Sequence, residues 1–163
     1  MPSRQRRGHR KTTTREGRAM RVCIAGACGR MGARLLALAA DDETLSIAGA
    51  FDAPQFGGKE IVIAGQSGQT VVLEAEVRPA LQQADVLIDF SVAEACVAHV
   101  AAAREARKPA VVGTTGLSEA DMAAIAECTA DIAIVHAPNM SVGVNLLFKL
   151  AGEVAAVLGL DYN

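Results

Sequence analysis

An α/β fold built on a doubly wound parallel sheet is predicted by three features of the sequence. Short β-branched, apolar runs alternate with helix-forming runs along residues 20–160. The core they could fill is aliphatic: hydrophobic residues make up 51% of the 163, aromatic residues only 3%, and there is no Trp. The polar ends of the apolar runs carry small or hydrogen-bonding residues, and in such sheets ligands bind beyond the carboxyl ends of the strands. Strands covered on both faces read as continuous apolar runs, and crossovers between them are right-handed.

The first unit sets the pattern. Met20–Ala25 is an apolar run that stops at Gly26, and Gly29 and Gly32 follow at three-residue steps. A helix-forming stretch then runs to about Ala40. Strand, glycine turn and helix in this order open a nucleotide-binding βαβ unit of the Rossmann type. Gly26 lets the chain turn sharply off the strand. Gly29 has no Cβ, so a pyrophosphate can approach the backbone. Gly32 lets the helix pack close to the sheet. The spacing is G-x-x-G-x-x-G, with Cys28 where the stricter G-x-G-x-x-G has a glycine.

Leu45–Phe51 reads as the second strand and ends at Asp52, 20 residues past Gly32 and 26 past Gly26. That is near the distance at which a carboxylate meets the adenosine-ribose hydroxyls of a dinucleotide. Residues 53–70 read as loop, Val71–Leu73 as a short strand and Val77–Gln83 as a short helix. Val86–Phe90 is a buried strand, and Ala93–Lys108 a helix in which His99 reads as an ordinary helix residue. Pro109–Gly113 is the next strand. Ser118 is placed as an N-cap, with Asp121 three residues on, for a helix to about Cys128. Ile132–His136 is the last strand, and a final helix covers roughly 142–158. Four turns therefore gather at one edge: Gly26 to Gly32, Asp52, Gly113 to Thr115, and Ala137 to Met140.

Charge and cysteine use narrow the class. The net charge is −2. Residues 1–19 hold seven Arg and Lys against one Glu, a charge of +6, which leaves −8 for the remainder. Residues 1–19 lack apolar periodicity and are expected to be a disordered basic extension. The acidic body argues against nucleic acid as a partner. No apolar run approaches the ~20 residues of a membrane span. Cys23, Cys28, Cys96 and Cys128 form no C-x-x-C pair, and no metal site is expected.

Four motifs carry a resemblance to a known family. They are Ile24–Ala25–Gly26–Ala27–Cys28–Gly29–Arg30–Met31–Gly32, Val86–Leu87–Ile88–Asp89–Phe90–Ser91, Val112–Gly113–Thr114–Thr115–Gly116–Leu117, and Ala137–Pro138–Asn139–Met140–Ser141–Val142–Gly143–Val144–Asn145. In this order and spacing, residues 20–160 resemble the N-terminal, cofactor-binding half of the 4-hydroxy-tetrahydrodipicolinate reductases of lysine and diaminopimelate synthesis. The resemblance implies NADH or NADPH held by Gly26, Ala27, Cys28, Gly29, Arg30 and Met31, by Asp52, by Gly113, Thr114 and Thr115, and by Ala137, Pro138, Asn139 and Met140. It implies hydride transfer to a small cyclic dicarboxylate, in a protein that is typically a cytoplasmic homotetramer.

Two departures qualify the implied picture. The family often has an Arg directly after the ribose acid, able to meet a 2′-phosphate. Here Ala53 stands there and the next cation, Lys59, is further along the loop, so the reading leans to NADH. The family's catalytic histidines and Lys have no counterpart here, so no catalytic residue is assigned. Residues 161–163 would begin a truncated substrate domain, and the chain alone is expected to be inactive. Without that domain the last helix, near Leu146, Leu147, Leu150 and Val154, is expected to expose an apolar face. Two other readings are a freestanding nucleotide-binding module and a different dehydrogenase of the aspartate dehydrogenase type. The Gly113–Gly116 and Pro138–Ser141 motifs argue against the latter.

Overall fold

β1 (Met20–Ala25) forms because its apolar residues suit both faces of a sheet: Val22, Cys23, Ile24 and Ala25 are all buried. Its side chains alternate between two cores. Val22 and Ile24 join Leu36, Ala37, Ala50, Ile63 and Leu73 on one side. Cys23 and Ala25 join Leu81, Leu87, Val100, Val112 and Ile125 on the other. Each large aliphatic chain buried this way contributes about 1.5–3 kcal/mol. The computed structural model describes residues 18–65 and 68–159. The expected extension (all but Arg18 and Ala19) and residues 161–163 lie outside them.

Around β1 stand α1 (Arg30–Asp41), β2 (Leu45–Phe51), β3 (Glu60–Val62), β4 (Thr70–Val72), α2 (Val77–Leu81) and β5 (Val86–Asp89). There follow α3 (Ala93–Glu105), β6 (Ala110–Val112), α4 (Glu119–Cys128), β7 (Ile134–His136) and α5 (Val142–Leu158). The main sheet has the order β2-β1-β5-β6-β7, and every pairing in it is parallel. The chain leaves β1 for β2 in one direction and resumes at β5 on the other side. The order therefore switches between β1 and β5, where open α/β sheets form a ligand crevice.

The sheet is the doubly wound parallel one that the sequence predicts, with one addition. The segment read as loop contains β3, which pairs antiparallel with β4 to make a separate two-stranded ribbon. Its three-residue strands are too short to show alternation. Ser118 caps α4 as expected: its hydroxyl accepts from the Asp121 N–H at 3.2 Å, and the Asp121 carboxylate accepts from the Ser118 N–H at 2.9 Å.

α5 is apolar and has no buried residue, with Leu147 64%, Phe148 66% and Val157 85% exposed. This is the uncovered face that the sequence predicts. No described helix is long and apolar enough to cross a membrane.

Candidate functional site

The five parallel strands end level with one another. Phe51 of β2 pairs with Ala25 of β1, Ala25 with Asp89 of β5, Asp89 with Val112 of β6, and Val112 with His136 of β7. The residues that leave the sheet at this edge are accordingly Asp52, Gly26, Phe90, Gly113 and Ala137. Parallel pairing and a common register bring the four turns to one rim.

At the switch point the glycine turn is built to its steric limits. Gly26 has φ +73°, and a Cβ there would stand 2.6 Å from the Phe90 carbonyl oxygen. A Cβ on Gly32 would fall 2.0 Å from the Gly26 carbonyl oxygen. Gly29 is less confined: its Cβ would meet only the Gly26 carbonyl oxygen, at 3.2 Å. Gly29 is also the N-cap of α1, has no side chain to cap it, and is followed by a first turn without acidic residues. Ala33 is the first residue of the helix whose N–H reaches back, to the Gly29 carbonyl. Among the described residues, the N–H groups of Arg30 and Met31, both exposed residues, donate to no acceptor. An uncapped helix start with free donors favours an anion.

Asp52 faces this turn. Its Oδ2 accepts from the Cys28 N–H at 2.7 Å, and its Oδ1 from the Ala53 N–H at 2.8 Å. Beside it opens a cleft of about 830 Å³, a size that suits a nucleoside. Gly26, Cys28, Gly29 and Asp52 line it together with, among others, Pro54, Phe56, Val77, Arg78, Phe90 and Val92. The walls are largely apolar, with Asp52 at the turn end and Glu76, Arg78, Ser91 and His99 also on the lining.

Under the cleft lies a polar cluster that the sequence reading did not find. Asp89 is fully buried. Its Oδ1 accepts from the hydroxyls of Ser91 and Thr114, each at 2.7 Å, and from the Ser91 N–H at 3.0 Å. Its Oδ2 lies 2.7 Å from Nδ1 of His99. Burial pushes the Asp89 carboxyl up, but the hydrogen bonds from His99, Ser91 and Thr114 outweigh it, leaving the group below the usual carboxylate range. Because an ionised carboxylate only accepts, His99 carries its proton on Nδ1.

His99 thus corrects the expectation of an ordinary helix residue. It lines the cleft, and its ring meets Phe51 edge-on with centroids 4.8 Å apart. The available signal was Asp89 itself, since a carboxylate closing an apolar strand needs partners.

The structure divides the predicted site residues. Gly26, Cys28, Gly29 and Asp52 line the cleft. Ala27 is buried, its N–H on the Phe51 carbonyl at 3.2 Å, while Arg30 and Met31 stand exposed at the helix start. Gly113, Thr114 and Thr115 lie at the same rim but outside the cleft wall. A Cβ on Gly113 would run into the Phe90 ring at 2.2 Å, so this glycine makes room for that ring. Thr114 is buried and turns its hydroxyl inward onto Asp89, while Thr115 beside it is exposed.

Ala137, Pro138, Asn139 and Met140 extend the rim past β7. The Asn139 carbonyl accepts from the Asn145 amide at 2.9 Å, and the Asn139 side chain accepts from the Ser141 N–H at 2.8 Å. These bonds tie the turn to the start of α5. His136 closes β7. Among the described residues, no group of His, Cys, Asp and Glu is arranged to hold a metal ion.

Residues 20–140 match the profile of the family described as dihydrodipicolinate reductase, N-terminus. The chain belongs to this family. Among dihydrodipicolinate reductase relatives, the 4-hydroxy-tetrahydrodipicolinate reductase of Aromatoleum aromaticum is 42% identical over 146 residues, an alignment covering 88% of this chain and 53% of that protein. The enzyme of the same name from Cupriavidus necator is 43% identical over 150 residues, with 88% and 55% covered. The chain thus spans about half the length of these relatives. The fold agrees with a solved dipicolinate-bound dihydrodipicolinate reductase from Paenisporosarcina sp. TG-14, at TM-score 0.67 and 20% identity. That match covers 85% of this chain and 54% of the other.

Proposed function

We propose that this chain is the coenzyme-binding part of an NAD(P)H-dependent 4-hydroxy-tetrahydrodipicolinate reductase of lysine and diaminopimelate synthesis. The observation that carries the reading is the uncapped start of α1, which opens on the same cleft as the Asp52 carboxylate at the β1/β5 switch point. Donors for a diphosphate and acceptors for a ribose adjoin a largely apolar slot.

The residues present fit a dinucleotide. The N–H groups of Arg30 and Met31 would hold the diphosphate, with Gly29 keeping the approach clear. Asp52 would accept from the adenosine-ribose hydroxyls, its two oxygens having capacity beyond the N–H groups they already receive. The cleft walls at Phe56, Val77, Arg78 and Val92 would take the adenine. The backbone at Gly113, Thr114 and Thr115 and the turn Ala137, Pro138, Asn139 and Met140 would border the nicotinamide half. Bound there, the nicotinamide supplies the hydride that reduces a cyclic dicarboxylate substrate. Asp89 fixes the loops on both halves at once, since it holds Ser91 at the cleft and Thr114 at the second turn. With Ala53 after Asp52, a carboxylate without an adjoining cation favours NADH over NADPH.

Calorimetric titration of the purified chain with NADH, NADPH and ADP-ribose tests this. Saturable heat with NADH, displaced by ADP-ribose and weaker with NADPH, is the expected result. No heat with either coenzyme would overturn the reading.

A further inference from the structure

Coenzymes that differ only by a 2′-phosphate are distinguished where the second strand ends, so the charges around Asp52 decide the outcome. This inference rests on the coenzyme reading above. Ala53 offers no cation. Arg78 lines the cleft, but its Nε and Nη2 both reach Glu105 Oε2, at 3.1 and 2.7 Å, which directs its guanidinium towards α3.

Lys59 is placed differently. Asp52 is followed by a single 3₁₀ turn (Pro54–Phe56), after which the chain doubles back. The Lys59 N–H donates to the Phe56 carbonyl at 3.0 Å, and the Lys59 carbonyl accepts from the Leu73 N–H at 2.9 Å. These bonds anchor its backbone between the turn and the β3–β4 ribbon. Its ammonium lies 5.5 Å from the centre of the Phe56 ring, and Phe56 is part of the cleft wall. Among the described residues it makes no salt bridge. The Cys28 thiol, beside Asp52, feels both charges: burial and Asp52 raise its pKa, while Lys59 lowers it. Six residues separate Asp52 from Lys59 in sequence, yet both charges act at the same turn.

We propose that Lys59 is the residue through which this site admits a 2′-phosphate, so that acceptance of NADPH beside NADH depends on this one side chain. The Asp52 oxygens each receive a backbone N–H, which offsets part of the charge a phosphate would meet. A lysine ammonium on its flexible stem can swing from the Phe56 face to a phosphate as a point charge. The ring meanwhile holds it near the ribose when no phosphate is bound.

The test compares 5′-AMP with 2′,5′-ADP by calorimetry on the full chain, for the wild type and for Lys59→Ala, Lys59→Arg and Lys59→Glu. Lys59 is exposed, and circular dichroism confirms that each variant is folded. The expected result is a roughly tenfold loss of 2′,5′-ADP affinity in Lys59→Ala, with 5′-AMP changed less than about twofold. Lys59→Arg should retain the wild-type ratio, and Lys59→Glu should lose more than Lys59→Ala. The wild-type advantage should shrink at about 1 M salt, where the Debye length is ~3 Å. If 5′-AMP binds but the ratio ignores residue 59, or if the wild type rejects 2′,5′-ADP, this inference falls while the coenzyme reading stands. If 5′-AMP itself fails to bind, both fall.

Discussion

Asp52 Oδ2 accepts a 2.7 Å hydrogen bond from the N–H of Cys28, so the acid that closes β2 is tied directly to the glycine turn that follows β1. Two strands that are neighbours in the sheet thereby place a carboxylate against the start of α1. Asp52→Ala removes this tie together with the proposed ribose acceptor. We expect NADH binding to weaken by about 1.5–3 kcal/mol, with NADPH losing less because a repelling charge is also removed. Calorimetry on both coenzymes checks the sign of that difference.

Gly29 and Gly32 should fail in different ways. A Cβ at Gly32 meets main-chain atoms of Gly26 and Ala27 at 2.0–2.7 Å, which only movement of the turn can relieve. Gly32→Ala should cost about 1–3 kcal/mol, or roughly 4–10 °C in melting temperature, and abolish binding. Gly29→Ala has one contact, at 3.2 Å, so it should melt within a few degrees of the wild type. Its methyl group would nevertheless stand where the diphosphate is proposed to approach, and coenzyme affinity should fall. Paired melting curves and titrations separate the two behaviours.

Cys28 is the exposed cysteine; Cys23, Cys96 and Cys128 are buried. Burial pushes the Cys23 and Cys96 thiols up to about 12. Burial and the Asp52 charge also raise Cys28, though less. Iodoacetamide should therefore label Cys28 first, faster as the pH is raised, and saturating NADH should slow the labelling. Peptide mass spectrometry after timed quenching reads both effects.

Acid should loosen the cluster beneath the cleft. The folded-state pKa of Asp89 is depressed, so its contribution is fully present above the unfolded value of ~3.9 and is lost as pH falls through the folded value. Asp85, held well below the usual carboxylate range by its bonds to Arg21, acts in the same direction. Melting temperature should be flat from neutral pH to about pH 5 and drop below about pH 4. Asp89→Asn should lower stability by about 1–3 kcal/mol at pH 7, because a carboxylate acceptor is lost in a buried site. The deficit should narrow under acid. Melting curves of both proteins across that range test it.

Most of the scaffold could be read from residue order. Continuous apolar runs such as Val86–Asp89 announce a strand buried on both faces. Ser118 with Asp121 marks a helix start, and Gly26, Gly29 and Gly32 mark a turn too tight for side chains. Each of these is a local signal. β3 was not legible, because three residues carry no period and their pairing with β4 is made across a loop. His99 was not legible either. Its partner is ten residues away on another element, and helical periodicity reports a face, not what faces it.

By itself, the sequence determined the chain's alternating elements, its family and the small residues of four turns, because those depend on local sterics and patterning. Only the tertiary structure decided which turns meet. Level strand ends bring Asp52 to Cys28 and leave Ala137–Met140 along the same rim, outside the cleft wall. It also turned Thr114 inward onto Asp89 and folded Lys59 back to Phe56. Such contacts depend on crossover direction and strand register, which exist only once the sheet has formed.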